Sequence, residues 1–200
     1  MEFQYPSLLR PTTSELLASE DGMVAVPKTE LLLRKWQGAP IADSFGGKPL
    51  LDFAGRPVFA ELAAYELFRL SGWEARWVET YGAPATNPRC YTDWLPNLPS
   101  SSRRAQVHSP IGHEGVWAQM RRVAAANKNT FAGCWDVVGW HDDTLLCVEL
   151  KRHKKDRLQT TQPRWLAAGL RAGLRPENFL LVEWDFLEGQ ALDAGTAHIE

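Results

Sequence analysis

Residues 144–151, Thr-Leu-Leu-Cys-Val-Glu-Leu-Lys, constrain this chain more than any other stretch. The run is short and apolar almost to its end, the pattern of a strand buried on both faces at the centre of a sheet. Such a strand needs cover on both sides, so the rest of the chain must supply helices to flank it. Its last residues break the pattern. Glu149 and Lys151 stand two apart and project from the same face. An acid and a lysine on the inward face of a buried strand are costly unless they are used.

The surrounding sequence provides the cover. Cys134-Trp135-Asp136-Val137-Val138 reads as a second strand, joined to the first through His141-Asp142-Asp143, a connection tight enough for an antiparallel hairpin. Upstream, Pro57 suits a first helical turn and the run to Ser71 continues unbroken until Gly72. Trp73, Ala75 and Trp77 then alternate with polar and smaller residues as in a strand. Residues 115–127 and 161–173 read as helices, the latter with Pro163 in its first turn and Gly173 at its close. Residues 179–184 form a last strand. The expected class is α/β, in the order helix, strand, insert, strand, strand, helix, strand, with a mixed sheet flanked by helices.

Residues 1–56, broken by Pro6, Pro11, Pro27, Pro40 and Gly46-Gly47, read as an irregular N-terminal lead-in, with Thr29 capping a short helix through Leu33. The main domain is expected over 57–190, with an insert at 82–130 whose first part is Pro-rich and without regular structure. Residues 191–200 read as a C-terminal tail.

Composition removes several function classes. Basic and acidic side chains number 22 and 24, for a net charge of −2, so no global charge draws the chain to phosphate. The three cysteines form no CxxC pair, which argues against a disulfide scaffold or a structural zinc site. No apolar run is long enough to span a membrane, and the start MEFQYPSLLRP lacks the features of a signal peptide, so a cytoplasmic setting is expected. Gly46-Gly47-Lys48 hints at a phosphate loop, but Ala42 stands where the first glycine belongs and Pro49 where Ser or Thr belongs. That match fails.

An acid-x-Lys triplet occurs by chance in a chain of this composition, so context must lift Glu149-Leu150-Lys151. Asp136, on the other arm of the hairpin, can come level with Glu149. Two carboxylates converging from adjacent strands suit a hard divalent ion that keeps positions for water and substrate phosphate. A lysine beside such an ion can orient the attacking water and offset charge on phosphorus.

At these residues the chain resembles the PD-(D/E)xK nuclease superfamily, in the branch of VRR-NUC and Holliday-junction-resolvase-like proteins. The resemblance covers residues 57–185. Trp135-Asp136 stands in place of Pro-Asp, Val148-Glu149-Leu150-Lys151 is the strand motif, and Lys155-Asp156-Arg157-Leu158 with Gln162 and Trp165-Leu166 resembles the following helix entry. The resemblance implies the restriction-endonuclease-like αβββαβ core and a Mg²⁺- or Mn²⁺-dependent nuclease. Asp136 and Glu149 would bind the metal with the Leu150 carbonyl as a further ligand, Lys151 would serve the water, and Gln162 would help hold the site or a phosphate. A glutamate of the first helix often joins, and Glu61 fits that role better than Glu66 by its Phe59-Ala60-Glu61-Leu62 context.

Charge placement points the same way. Between Lys151 and Pro176 there are eight basic residues and one acid, so this segment carries +7 and the remainder −9. Arg152, Lys154, Lys155 and Arg157 crowd one loop beside Lys151, where a phosphate backbone would arrive. Among the tryptophans, Trp94 in the insert is the candidate base contact. The expected partner is DNA, with RNA as the open alternative and no membrane. Pairing into a homodimer would suit the cutting of two strands, by analogy alone. A catalytically silent nucleic-acid-binding or assembly protein that kept the fold is the rival reading, and an unrelated α/β enzyme with a structural Glu149–Lys151 pair is a third.

Overall fold

The computed structural model describes residues 3–20, 22–99, 104–156 and 161–187. The tail at 191–200 lies outside these. The strands are β1 (Thr13–Ser19), β2 (Gly22–Leu33), β3 (Leu51–Phe53), β4 (Arg56–Val58), β5 (Glu74–Glu79), β6 (Arg89–Trp94), β7 (Gln106–His108), β8 (Val137–His141), β9 (Thr144–Arg152) and β10 (Phe179–Phe186). The helices are α1 (Ala60–Leu70), α2 (Glu114–Ala126) and α3 (Thr161–Arg171). Eight strands form one mixed sheet in the order β1-β2-β10-β9-β8-β5-β6-β7, and β3–β4 is a separate hairpin.

The chain is therefore α/β, and β9 sits inside the sheet as its apolar run requires. It pairs antiparallel with β8, with Val137 opposite Val148, and parallel with β10, with Glu149 opposite Leu181 and Lys151 opposite Glu183. Alternate β9 side chains enter two cores. Leu146, Val148 and Leu150 pack with α1, while Leu145 and Cys147 pack with α2 and α3. Glu149 follows this second set by alternation and faces α3.

Several sequence expectations change. The stretch read as an irregular lead-in contributes β1 and β2 to the main sheet, with β2 lying parallel to β10 from Leu181–Lys28 to Phe186–Leu33. Thr29 caps no helix; it is a buried strand residue. Pro27 disguised this strand, since proline is disfavoured inside a sheet, and the alternation of Leu31 and Leu33 toward the α1 core is short. Pro57 lies in β4 opposite Asp52, so α1 starts at Ala60. Two strands of the insert, β6 and β7, extend the sheet beyond β5. The strand expected from Cys134 starts at Val137 instead, which leaves Asp136 just before the ladder begins.

Candidate active site

Asp136 and Glu149 meet where β8 begins and β9 ends. The amide N–H of Leu150 donates to Asp136 Oδ2 at 2.9 Å, which extends the β8–β9 register by one side chain and fixes that carboxylate beside the strand motif. Glu149 is almost fully buried, at 1% exposure. Its Oε1 takes the Lys151 ammonium at 2.6 Å and a hydrogen bond from Gln162 Nε2 at the start of α3. Its Oε2 is buried without any hydrogen-bond partner. The Gln162 carbonyl in turn accepts from the Trp135 indole at 3.3 Å, so the residue before Asp136 and the residue that holds Glu149 are tied together.

Gly133 allows this closure. It has φ +81°, and a Cβ there would come within 2.3 Å of the Thr161 carbonyl oxygen, so only glycine lets the chain before Asp136 touch the start of α3. Burial, then the Glu61 charge, pushes Asp136 up to about 6, against the pull of the Leu150 amide, Lys151 and Lys48. Burial, the Asp136 charge and the hydrogen bond that a protonated Glu149 shares with Asp136 push Glu149 well above the usual carboxylate range, with Lys151 as the partial counterweight. Two carboxylates this close, with one oxygen buried and unpartnered, hold either a proton or a cation between them. The donor set fits a hard divalent ion: carboxylate oxygens, one of them unused, with two nearby lysines to limit the surplus charge. Among the described residues, no cluster of three or more His, Cys, Asp or Glu side chains could hold a metal.

Glu61 also faces this region from the first turn of α1, but its carboxylate is ion-paired with Lys48. Glu66 instead points to Arg69 and Arg56, at 3.4 and 4.0 Å. Lys48 was missed. Its signal was the Gly46-Gly47 pair, which as a phosphate loop does not match; both glycines adopt positive φ (78° and 79°), and the turn returns the Lys48 amide to the Ser44 carbonyl at 3.1 Å. The ammonium then sits over Phe45, Phe59 and Trp77, at 5.6–5.9 Å from the ring centres.

The expected phosphate grip is only partly assembled. Arg152 stacks on Phe186 at 4.5 Å and on Trp184 at 5.6 Å, and its Nε pairs with Asp185 at 3.3 Å, so it is committed to the protein. Lys154 and Lys155 are exposed on the turn after β9. Arg157 lies outside the described residues. The rest of the basic segment disperses, with Arg164 bonded to Asn127, Arg171 to Glu20, and Arg175 over the Phe3 ring. Trp94 is no base contact: it is 1% exposed and packs on Phe59 at 4.9 Å. The cysteines are inert packing, with burial pushing Cys90 up to about 11 and Cys147 up to about 12.

A cavity of about 280 Å³ opens beside Lys151, lined also by Lys28, Arg152, Lys154, Glu183 and Asp156. Compared with protein-family models, curated proteins and solved structures, the chain matches none. No helix among the described residues is long and apolar enough to cross a membrane.

Proposed function

We propose that this chain is a divalent-metal-dependent nuclease of the restriction-endonuclease-like class, acting on DNA. The observation that carries the reading is the buried, unpartnered Glu149 Oε2 beside Asp136, with Lys151 and Gln162 on the other oxygen. The order α1, β5, β8, β9, α3, β10 supports it, being the helix–three strands–helix–strand order of the family that the sequence resembles.

On this reading Asp136 and Glu149 hold Mg²⁺ or Mn²⁺, with the Leu150 carbonyl as the further ligand that the resemblance implies. The ion supplies Lewis-acid polarisation of the phosphodiester and a more acidic water. Gln162 fixes the rotamer of Glu149, so the carboxylate does not reorganise during the reaction. Lys151 spends one N–H on Glu149 and keeps two for the attacking water and a phosphate oxygen. The exposed Lys154 and Lys155 meet the DNA backbone as it enters the cavity beside Lys151.

Purified chain incubated with linear duplex and single-stranded DNA should cleave with Mn²⁺ or Mg²⁺ and stop with EDTA. Asp136→Asn and Lys151→Met should remove cleavage while circular dichroism stays that of the wild type. Full activity in either variant sinks the assignment. The silent binding or assembly protein is the second reading, favoured by the Lys48–Glu61 ion pair, which takes a third carboxylate out of play. It predicts salt-sensitive DNA binding with no cleavage under any divalent ion.

A further inference from the structure

Lys48 is unusual for a lysine. It is delivered by a two-glycine turn, ion-paired to Glu61, and flanked by three aromatic rings. The rings also brace one another: Phe45 and Phe59 each meet Trp77 edge-on, at 5.2 and 5.3 Å. Each ring turns electron density toward the ammonium, which compensates for lost water. Burial alone would lower the pKa of this ammonium, but the Glu61 carboxylate together with the Asp136 and Glu79 charges outweighs it, and the group lies above its ordinary value. It is a permanent charge held in a fixed place.

That place borders the nuclease site. Lys48 and Glu61 line a cavity of about 190 Å³ together with Leu150 and Asp156. The charges of both Glu61 and Lys48 are felt at Asp136. Asp136, Glu149 and Glu61, when ionised, outnumber the ammoniums of Lys48 and Lys151 by one, and Asp156 in the same cavity and the Glu79 charge add to the negative side. A single divalent ion between Asp136 and Glu149 offsets much of that surplus. A second ion at Glu61 would lie against the Lys48 ammonium, a like charge already in contact with that carboxylate.

We propose that Lys48 is the fixed second cation of this site: its ammonium takes the position beside Glu61 that a second divalent ion would otherwise occupy, so the chain binds one divalent ion, between Asp136 and Glu149. The proposal rests on the nuclease reading, because it takes the Asp136–Glu149 site as metal-binding. Lys48 is then a positioning residue. It holds Glu61 and sets the local charge, and it has no need to touch the substrate.

Counting bound Mn²⁺ tests this without any activity assay. Titration of the wild-type chain, followed by the electron paramagnetic resonance signal of free Mn²⁺ and by calorimetry, should give one ion per chain. Lys48→Met and the polar Lys48→Gln should each gain a second, weaker ion. Adding Glu61→Gln to either should remove it, and Lys48→Arg should stay at one. Two ions in the wild type overturn the proposal, as does a single ion in a neutral Lys48 variant that keeps the wild-type circular dichroism. If the wild type binds none, the nuclease reading fails and the proposal goes with it. One ion in the wild type and one in the folded Lys48 variants would instead leave the nuclease reading standing and remove the proposal alone.

Discussion

Two acid–lysine pairs flank one another in this molecule, and they are built in opposite ways. Glu149 and Lys151 share a strand, two residues apart, and face α3. Glu61 and Lys48 come from a helix and a glycine turn, thirteen residues apart, on the α1 side. The first pair leaves a buried carboxylate oxygen without a partner. The second sets its cation beside aromatic rings and leaves no buried side-chain oxygen without a partner. An unfinished pair can accept a ligand, whereas a closed pair fixes a charge. Similar residue types are thus left open in one case and closed on each other in the other.

The largest expected effect breaks this comparison if it fails. Lys151→Met should lower cleavage by about 10²–10³-fold, the usual loss of a donor aimed at transition-state charge, and excess Mg²⁺ should not restore it. Lys48→Met should cost about 10–100-fold, as loss of a supporting residue does, and high Mg²⁺ should recover part of that. Equal, unrecoverable losses would mean that both lysines act on the substrate. Stability separates the pairs by sign. Glu149→Gln takes the counter-charge from Lys151 but removes a buried charge that burial and Asp136 disfavour more than Lys151 supports it. It should therefore stabilise the metal-free fold by about 1 kcal/mol, while Glu61→Gln strands the Lys48 ammonium and should destabilise it by about 1–2 kcal/mol. Urea denaturation of both variants in EDTA checks the two signs together.

The first pair was legible in the sequence because strand geometry is local. Spacing of two puts Glu149 and Lys151 on one face, a tight His141-Asp142-Asp143 turn levels Asp136 with Glu149, and Gln162 follows from the family resemblance. The second pair was half legible. Helical periodicity left Glu61 and Glu66 equal, and only the tertiary closure of residues 44–49 onto α1 explains why Glu61 is the inward one. Pro27 hid β2 for a different reason: proline is disfavoured inside a sheet, yet here it pairs with Ser14 of β1 across a local hairpin, and the pairing with β10 begins only at Lys28. The +7 segment misled in a different way. Helix α3 turns Arg164 and Arg171 toward other elements, so charges contiguous in sequence do not share a surface. Nothing in local pattern could report that dispersal.

Acidity sharpens the contrast by a smaller amount. Asp136 is raised to about 6 and Glu149 lies well above the usual range, so the metal-free folded chain retains protons that the unfolded chain has already released. Stability from these groups is therefore complete below about pH 4 and is lost as pH rises through about 6 and beyond. In EDTA, Tm should fall by several degrees between about pH 5 and pH 8, and Glu149→Gln should flatten that fall. Saturating Mg²⁺ should reverse it, because metal and proton compete for the same oxygens. A Tm in EDTA that rises over this range would show that the carboxylates are not held apart from solvent as the structure has them.

The smallest effect concerns the turn that follows β9, where two neighbours differ as the two pairs do. Arg152 is bound into the protein through Asp185 and the Phe186 ring, while Lys154 and Lys155 stand free in solvent. Arg152→Ala should therefore cost about 1–2 kcal/mol of stability, through lost packing and the lost cation–ring contact. Lys154→Ala and Lys155→Ala should leave stability within about 0.5 kcal/mol. Each should instead reduce the salt dependence of DNA binding by about one unit of slope, the mark of one lost phosphate contact. Affinity measured across a salt series with the three variants separates these roles. If Arg152→Ala lowers the slope and the lysine variants do not, the arginine leaves its aromatic seat to meet the phosphate, and the committed residue of the turn is the one that binds.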